Sequence, residues 1–147
     1  MSNQVGILII DDSEADAELL RHELRALEDF PHTALHSDSF ESAKEVLAAE
    51  KVDCILLDYF VDELTGIEIM NELRGLGYEQ PVITITGQGS ETVAVNALKQ
   101  GAYDYLVKGE MTPSSLRRAI ESSLERNRLE NEVRKKSEEL EQFSSLA

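Results

Sequence analysis

Residues 5–27 read VGILIIDDSEADAELLRHELRAL, and this stretch decides the fold class. Its first part, Val5–Ile10, is an apolar run, and a short run that is apolar on both faces is typical of a buried parallel strand. After the polar pair Asp11-Asp12, the pattern changes to helical spacing and predicts a helix over Glu14–Leu27. Four apolar residues share one face of that helix: Ala17, Leu20, Leu24 and Leu27. The stretch therefore predicts a strand followed directly by a helix.

The same strand-then-helix pattern recurs four more times along the chain. Further strands are predicted at Thr33–His36, Cys54–Leu57, Val82–Ile85 and Tyr103–Val107. Further helices are predicted at Glu41–Glu50, Ile67–Leu76 and Glu91–Gln100, and from Thr112-Pro113 onward as N-cap and first helical residue. Regular alternation of this kind predicts an α/β fold, in which a doubly wound parallel sheet carries helices on both faces.

The overall composition excludes several classes of function. The 147 residues include 29 Asp+Glu and 14 Lys+Arg, a net charge of −15, which argues against binding of nucleic acid or of an anionic membrane. The single Cys54 excludes an internal disulfide and a multi-cysteine zinc site. No apolar run reaches the roughly 18 residues of a membrane span. The start, Met1–Gln4, lacks the basic region of a signal peptide, so a cytoplasmic location is expected.

Polar side chains follow the predicted strands at the places where ligands bind in parallel sheets. They are Asp11-Asp12, Asp58, Thr86 and Lys108. Each has an ordinary alternative role: Asp12 or Ser13 as the N-cap of the first helix, Thr86 bonded to backbone, Lys108 at the surface. Placement at four successive strand ends favours a shared site over four separate accidents.

Three crowded carboxylates repel one another and therefore require a cation. Because no Cys or His accompanies them, the expected ion is a hard one, Mg²⁺ rather than zinc. A carboxylate beside Mg²⁺ and a lysine can act as a nucleophile toward phosphorus and form an aspartyl phosphate. The metal and the ammonium would neutralise the transferring group, and a hydroxyl could hydrogen-bond one of its oxygens.

Taken together, these motifs resemble the receiver domain of bacterial two-component response regulators. The matching residues are Asp11-Asp12 after the first strand, Asp58 after the third, Gly66 eight positions later, Thr86 after the fourth, and Tyr105 and Lys108 at the fifth. The resemblance covers residues 5 to about 125. It implies a flavodoxin-like sheet of five strands in the order 2-1-3-4-5, and Mg²⁺ as cofactor.

The resemblance also implies a role for each site residue. Asp58 would accept a phosphoryl group from a histidine kinase or phosphotransfer protein. Mg²⁺ would be held by Asp11, Asp12, Asp58 and the backbone carbonyl of Phe60. The phosphoryl group would be bound by Thr86 and Lys108, with Gly87 leaving the acceptor open or simply forming a flexible loop. Thr86 and Tyr105 would form the switch that repacks the surface of the fourth helix, fifth strand and fifth helix.

Two positions depart from the family pattern. Gly109 follows Lys108 where the family usually has proline, often after a cis bond, and here a trans bond is expected because a cis bond before a non-proline residue costs about 2.5–4 kcal/mol. Asp62 stands four residues after Asp58, where proline is common, which predicts a less constrained loop. Neither departure removes a chemical group from the site.

The C-terminal part has a different composition. Residues 1–112 hold 22 acids and 7 bases, whereas residues 113–147 hold 7 of each and continue in helical pattern from Ser114. We divide the chain into a receiver domain, 1–125, and a helical extension, 126–147. Leu129, Lys136 and Phe143 alternate with Val133, Leu140 and Ala147 as in a coiled coil, which predicts a homodimer; a solvated single helix is the alternative.

The end of the chain bears on what the module controls. Residues 138–147, EELEQFSSLA, resemble the segment that leads into the phosphoacceptor-histidine helix of sensor kinases. The extension is therefore expected to be a linker to an output or kinase module beyond Ala147.

Other function classes fit less well. A phosphatase of the aspartate-nucleophile type needs a second Asp two residues after the nucleophile, where this chain has Phe60. A flavodoxin would need a phosphate-binding loop where this chain has Asp11-Asp12-Ser13-Glu14, and a pseudo-receiver would not need the complete set of Asp, Thr and Lys. The sequence predicts a self-phosphorylating and self-dephosphorylating signalling module rather than a turnover enzyme.

Overall fold

The computed structural model describes residues 4–146. Two expectations therefore fall partly outside the described residues: the lack of a signal peptide, which concerns residues 1–3, and the heptad position of Ala147. The strands are β1 (Val5–Ile10), β2 (His32–Ser37), β3 (Cys54–Asp58), β4 (Phe60–Val61), β5 (Leu64–Thr65), β6 (Val82–Thr86) and β7 (Asp104–Val107). The helices are α1 (Glu14–Arg25), α2 (Phe40–Ala49), α3 (Gly66–Gly75), α4 (Glu91–Lys99) and α5 (Pro113–Leu146).

Five strands form one parallel sheet in the order β2-β1-β3-β6-β7. This is the predicted order 2-1-3-4-5 when the two-residue strands β4 and β5 are left out. The doubly wound, flavodoxin-like α/β fold is therefore confirmed. The order places the carboxyl ends of β1, β3, β6 and β7 side by side along one edge.

Side chains of alternate strand residues enter two separate cores. Leu8 and Ile10 of β1 pack with α2, α3 and α4, whereas Ile7 and Ile9 pack with α1 and α5. Because both faces of the sheet are covered, the central strands must be apolar at every position, which explains the continuous runs in the sequence. Cys54 is buried in β3, and this burial raises the pKa of its thiol to about 12, as expected of an unreactive core residue.

Local hydrogen bonds begin the helices at the predicted positions. Ser13, not Asp12, is the N-cap of α1, and its hydroxyl accepts the backbone N–H of Asp16. Because Ser13 caps α1, the Asp12 carboxylate is free to interact with other groups at the carboxyl edge of the sheet. Thr112 caps α5 by accepting the N–H of Ser115, with Pro113 as the first helical residue.

Residues 60–65 form an antiparallel hairpin that the sequence pattern does not predict. Phe60 pairs with Thr65 and Val61 with Leu64, and the turn contains Asp62 in the left-handed region at a φ of 56°. Thr65 then begins α3 through reciprocal capping bonds with Glu68. The segment after Asp58 is therefore an ordered extension of the site's edge rather than a loosely constrained loop.

Helix α5 runs without interruption for 34 residues. Leu116, Ala119 and Ile120 are buried against the sheet. Farther along, four large apolar side chains have exposed fractions of 46–75%: Leu129, Val133, Leu140 and Phe143. Among residues 4–146, every helix is too short or too polar to cross a bilayer.

Candidate functional site

Three carboxylates meet at the carboxyl edge of the sheet. Asp11 and Asp12 follow β1, and Asp58 is the last residue of β3, the neighbouring strand. One oxygen from each of these carboxylates lies within 4.8 Å of the others. Within residues 4–146 the structure thus brings together the three acids that the sequence places at strand ends.

Asp11 lies deepest in the site, with 1% of its side chain exposed. Its Oδ1 accepts the backbone N–H of Ser13 at 2.8 Å, but its Oδ2 is buried and has no hydrogen-bond partner within the described part of the chain. Burial raises the pKa of Asp11, and the Ser13 N–H and the Lys108 charge offset this only in part. A buried carboxylate oxygen with an unfilled lone pair is what a bound cation would satisfy, so the site fits a hard metal ion.

Asp12 is exposed and is positioned by the hairpin. Its Oδ2 accepts the backbone N–H of Asp62 at 2.8 Å. Proline at position 62 has no N–H to donate and has φ near −65°, far from the 56° observed. The departure at Asp62 therefore has a structural reason, since the hairpin contributes a donor to an acid of the site.

Asp58 is the central carboxylate, with 14% of its side chain exposed. Burial and the nearby Asp11 charge raise its pKa to about 6, although the Lys108 ammonium acts in the opposite direction. Asp58 Oδ1 lies 3.2 Å from Lys108 Nζ. The Asp58 carboxylate thus lies between one cation, Lys108, and two other acids, Asp11 and Asp12.

Lys108 reaches the acids from the end of β7, where its backbone N–H donates to the Thr86 carbonyl at 2.8 Å. Its Nζ lies 2.9 Å from Asp16 Oδ2, 3.2 Å from Asp58 Oδ1 and 3.9 Å from Asp11 Oδ2. Burial lowers the pKa of Lys108, but the Asp16 hydrogen bond and the surrounding carboxylates outweigh it, so the net shift is upward.

Asp16 is the site residue that the sequence analysis missed. It lies in the first turn of α1, four residues beyond Asp12 and therefore about one helical turn along. Its spacing from Asp12 is the one feature of the sequence that could have indicated a place in the site. The contact with Lys108 joins residues 92 positions apart, and such a contact leaves no local sequence pattern.

Thr86 and Tyr105 belong to adjacent strands at the same edge. Thr86 is buried at the end of β6, and its Oγ1 donates a long hydrogen bond of 3.5 Å to the Leu106 carbonyl. Tyr105 is half-buried and pairs in register with Thr84. A Cβ added at Gly87 would meet no atom within 4 Å, so the space beside this backbone position, next to Thr86, is open.

The loop after Lys108 has the expected trans bond, since residues 4–146 contain no cis peptide bond. Gly109 has a φ of +88°, a conformation that proline cannot adopt. A Cβ there would also lie 2.9 Å from Gln88 Nε2. Because the flexible end of Gln88 can move aside, the positive φ rather than this contact is the reason for glycine at this position.

Phe60 follows Asp58 by two residues, in β4. Its side chain is 61% exposed and contacts the Tyr59 ring edge-on, with ring centroids 4.8 Å apart. Because the ring faces outward, any contribution of Phe60 to the site comes from its backbone, and the role of its carbonyl as a metal ligand stays a prediction.

Residues 7–121 match the family model of the response regulator receiver domain. The chain belongs to this family. Receiver domains of response regulators are signalling modules of two-component systems, generally not turnover enzymes, and they take phosphoryl groups from histidine kinases.

Two curated relatives and one solved structure illustrate the similarity of this receiver domain. The response regulator MprA of Mycobacterium ulcerans is 32% identical over 128 residues, which are 87% of this chain and 53% of that protein. The transcriptional regulatory protein MalR of Bacillus subtilis is 33% identical over 104 residues, 71% of this chain and 44% of that protein. A response regulator receiver domain protein from Clostridium thermocellum has a TM-score of 0.73 at 27% identity, covering 85% of this chain and 98% of that one. The chain spans about half the length of these two curated relatives.

Proposed function

We propose that this receiver domain accepts a phosphoryl group on Asp58 in a Mg²⁺-dependent reaction. The observation that carries the proposal is the position of Asp58, with one oxygen 3.2 Å from Lys108 Nζ and one within 4.8 Å of an oxygen of both Asp11 and Asp12. A nucleophilic carboxylate beside a cation and a metal-binding pair is the arrangement that phosphoryl transfer requires.

Mg²⁺ would be held by Asp11, Asp12, Asp58 and the backbone carbonyl of Phe60. The unpartnered Asp11 Oδ2 and the raised pKa values of Asp11 and Asp58, caused chiefly by burial, support a site short of positive charge. When bound, the ion would neutralise negative charge on the phosphoryl oxygens.

In the transfer step, an Asp58 carboxylate oxygen forms a bond to phosphorus. The bond from phosphorus to the donor's leaving group breaks, and the leaving group departs with the electron pair. Lys108 and the Thr86 hydroxyl bind the phosphoryl oxygens, and the open space at Gly87 admits the group. The donor is a histidine kinase or a phosphotransfer protein. Hydrolysis, in which water attacks phosphorus and the bond to the Asp58 oxygen breaks, releases inorganic phosphate and returns the domain to its initial state.

Phosphorylation would be transmitted through Thr86 and Tyr105. Among residues 4–146 the Thr86 hydroxyl is engaged only by a 3.5 Å bond to the Leu106 carbonyl, so it can turn toward a phosphoryl oxygen at little cost. That movement leaves room for the Tyr105 ring to turn inward. The surface formed by α4, β7 and α5 then repacks and controls an attached or partner output.

The long helix would connect this domain to that output. The chain would divide into a receiver, 1–125, and an extension, 126–147, which would link to an output or kinase module and form a coiled-coil homodimer. The exposed apolar residues of α5 support the dimer, and the net charge of −15 supports a protein that binds neither nucleic acid nor membrane. The proposal also includes the cytoplasmic location that the sequence analysis expects.

Incubation with acetyl phosphate and Mg²⁺ tests the proposal. Mass spectrometry should show one added phosphoryl group on the wild type, labile to base, and no added group when EDTA is present during the incubation. Asp58→Asn should remain unlabelled, whereas Asp62→Asn, which removes a nearby carboxylate without touching the acceptor, should be labelled normally. Undiminished labelling of Asp58→Asn would overturn the assignment of the acceptor.

A further inference from the structure

The nearest carboxylate to the Lys108 ammonium is not the acceptor. Asp16 Oδ2 lies 2.9 Å from Lys108 Nζ, closer than Asp58 Oδ1 at 3.2 Å or Asp11 Oδ2 at 3.9 Å. Asp16 has no part in the metal-binding trio or in the transfer step described above. Its contact with Lys108 therefore needs a separate explanation.

The start of α1 holds Asp16 in place for this contact. The Ser13 hydroxyl accepts the Asp16 backbone N–H at 3.2 Å, which fixes the residue in the first turn. The N-terminal turn of a helix also favours a negative side chain through the helix dipole. The Asp16 backbone is thus fixed and its side chain is short, whereas Lys108 is the long and flexible partner of the pair.

The three carboxylates around Lys108 differ in exposure. The Asp16 side chain is 42% exposed, against 14% for Asp58 and 1% for Asp11. A half-exposed carboxylate that loses its ammonium partner is rehydrated, while a buried one is left with an uncompensated charge. Asp16 is therefore the partner that Lys108 can leave at the lowest cost.

We propose that Asp16 is a positioning residue that holds the Lys108 ammonium in the unphosphorylated protein and releases it when Asp58 carries a phosphoryl group. The inference rests on the proposed function of Asp58. A phosphoryl group brings a charge of about −1.5 to −2 and three acceptor oxygens, so it competes well against one half-exposed carboxylate. Asp16 thereby sets how strongly the site favours the phosphorylated state.

This role predicts a gain on removal of the Asp16 charge. Without its competing partner, Lys108 is free to engage the phosphoryl group, so a phosphoryl mimic should bind more tightly. Because a half-exposed ion pair is a weak competitor, the gain should be about two- to five-fold in affinity. Asp16→Glu keeps the charge within reach of Lys108 and should return the affinity toward that of the wild type.

The test is a titration of the full chain with beryllofluoride in the presence of Mg²⁺, in which ¹⁹F NMR measures binding. Asp16→Asn should bind two- to five-fold more tightly than the wild type. The matched control is Glu14→Gln, which removes the same charge from the same exposed turn of α1, and it should bind like the wild type. Thermal unfolding of each variant verifies that it is folded, and Asp16→Ser supplies a second neutral side chain.

The possible results distinguish a failure of the Asp16 inference from a failure of the proposed function of Asp58. If the wild type binds beryllofluoride but neither neutral variant binds more tightly, Asp16 does not compete for Lys108 and the inference is wrong. An equal gain in Glu14→Gln would mean that overall charge, not the contact, is responsible, and would overturn it as well. A wild type that binds no beryllofluoride would overturn the proposed function and with it the role of Asp16.

Discussion

Buried negative charge is the dominant feature of the site at the scale of single residues. Asp11 and Asp58 share a largely dehydrated edge, and burial raises the pKa of both. Lys108 compensates only part of this charge because it also contacts Asp16. In the absence of a metal ion the folded state therefore carries an electrostatic cost that a bound cation would remove.

Replacement of Asp58 by Asn should stabilise the metal-free protein. The folded-state pKa of about 6 lies above the usual 3.8, so the ionised form is disfavoured in the folded state and the cost is fully present at pH 7. Asp58→Asn should raise the free energy of unfolding there by about 1–3 kcal/mol, measured by urea denaturation in EDTA. As the pH falls through 6 toward 4, Asp58 becomes protonated in the folded wild type and the cost of its buried charge is removed. The difference in unfolding free energy between the wild type and Asp58→Asn should therefore shrink.

The control for this measurement is Asp62→Asn, which changes the same charge at an exposed turn. Its stability should differ little from that of the wild type. Equal stabilisation by both substitutions would show that net charge, rather than the environment of Asp58, is responsible.

At the scale of elements, sequence periodicity predicted the strands and helices well but not the contacts between them. The predicted bounds of α1 to α4 differ from the observed ones by at most two residues, because burial on one or both faces leaves a strong apolar pattern. The β4-β5 hairpin was missed because its strands are two residues long and its turn lacks the usual Asn-Gly or Asp-Gly signature. The Asp16–Lys108 contact was missed because it depends on how α1 sits against the end of β7.

The hairpin makes a prediction at this scale. Asp62→Pro removes the N–H that Asp12 accepts and cannot adopt the observed φ of 56°, so it should destabilise the protein by about 1 kcal/mol or more. Asp62→Gly keeps the N–H and tolerates this φ, so its stability should stay near that of the wild type. Urea denaturation of the two variants provides the comparison, and equal stabilities would contradict the role assigned to the turn.

At the scale of the whole molecule, α5 has two distinct sides. On one side, Asn127 and Glu130 hydrogen-bond the Tyr103 hydroxyl, and Arg134 forms a salt bridge with Glu79. At 3.6 residues per turn, the exposed apolar residues are centred roughly a third of a turn away around the helix axis. They are Leu129, Val133, Leu140 and Phe143. The helix is thus attached to its own receiver domain by one side as far as Arg134, and presents an apolar stripe away from it.

Beyond Arg134, this arrangement lets a second copy pack on the stripe at Leu140 and Phe143, past the contacts that α5 makes with the receiver domain. Leu140→Glu should therefore abolish a dimer detected by sedimentation of the wild type, because it places a charge in the apolar seam. The control Glu138→Gln lies on the other side of the helix, is exposed, and should leave the dimer intact. A wild type that is monomeric at all concentrations would leave the extension as a solvated single helix and contradict the coiled coil.

The same measurement with beryllofluoride and Mg²⁺ asks whether the helix carries the signal. Helix α5 contacts Tyr103, which lies two positions before Tyr105 in the chain. A movement of Tyr105 should therefore shift α5 near Asn127, where the extension begins. A ligand shifts such an equilibrium only by its differential affinity for the two states, and couplings of this kind are typically about 1–3 kcal/mol. We expect the dimer dissociation constant to change by about 5- to 150-fold rather than from complete dissociation to complete assembly. An unchanged constant, together with a dimer that Leu140→Glu abolishes, would mean that the helix associates but does not transmit phosphorylation in this way.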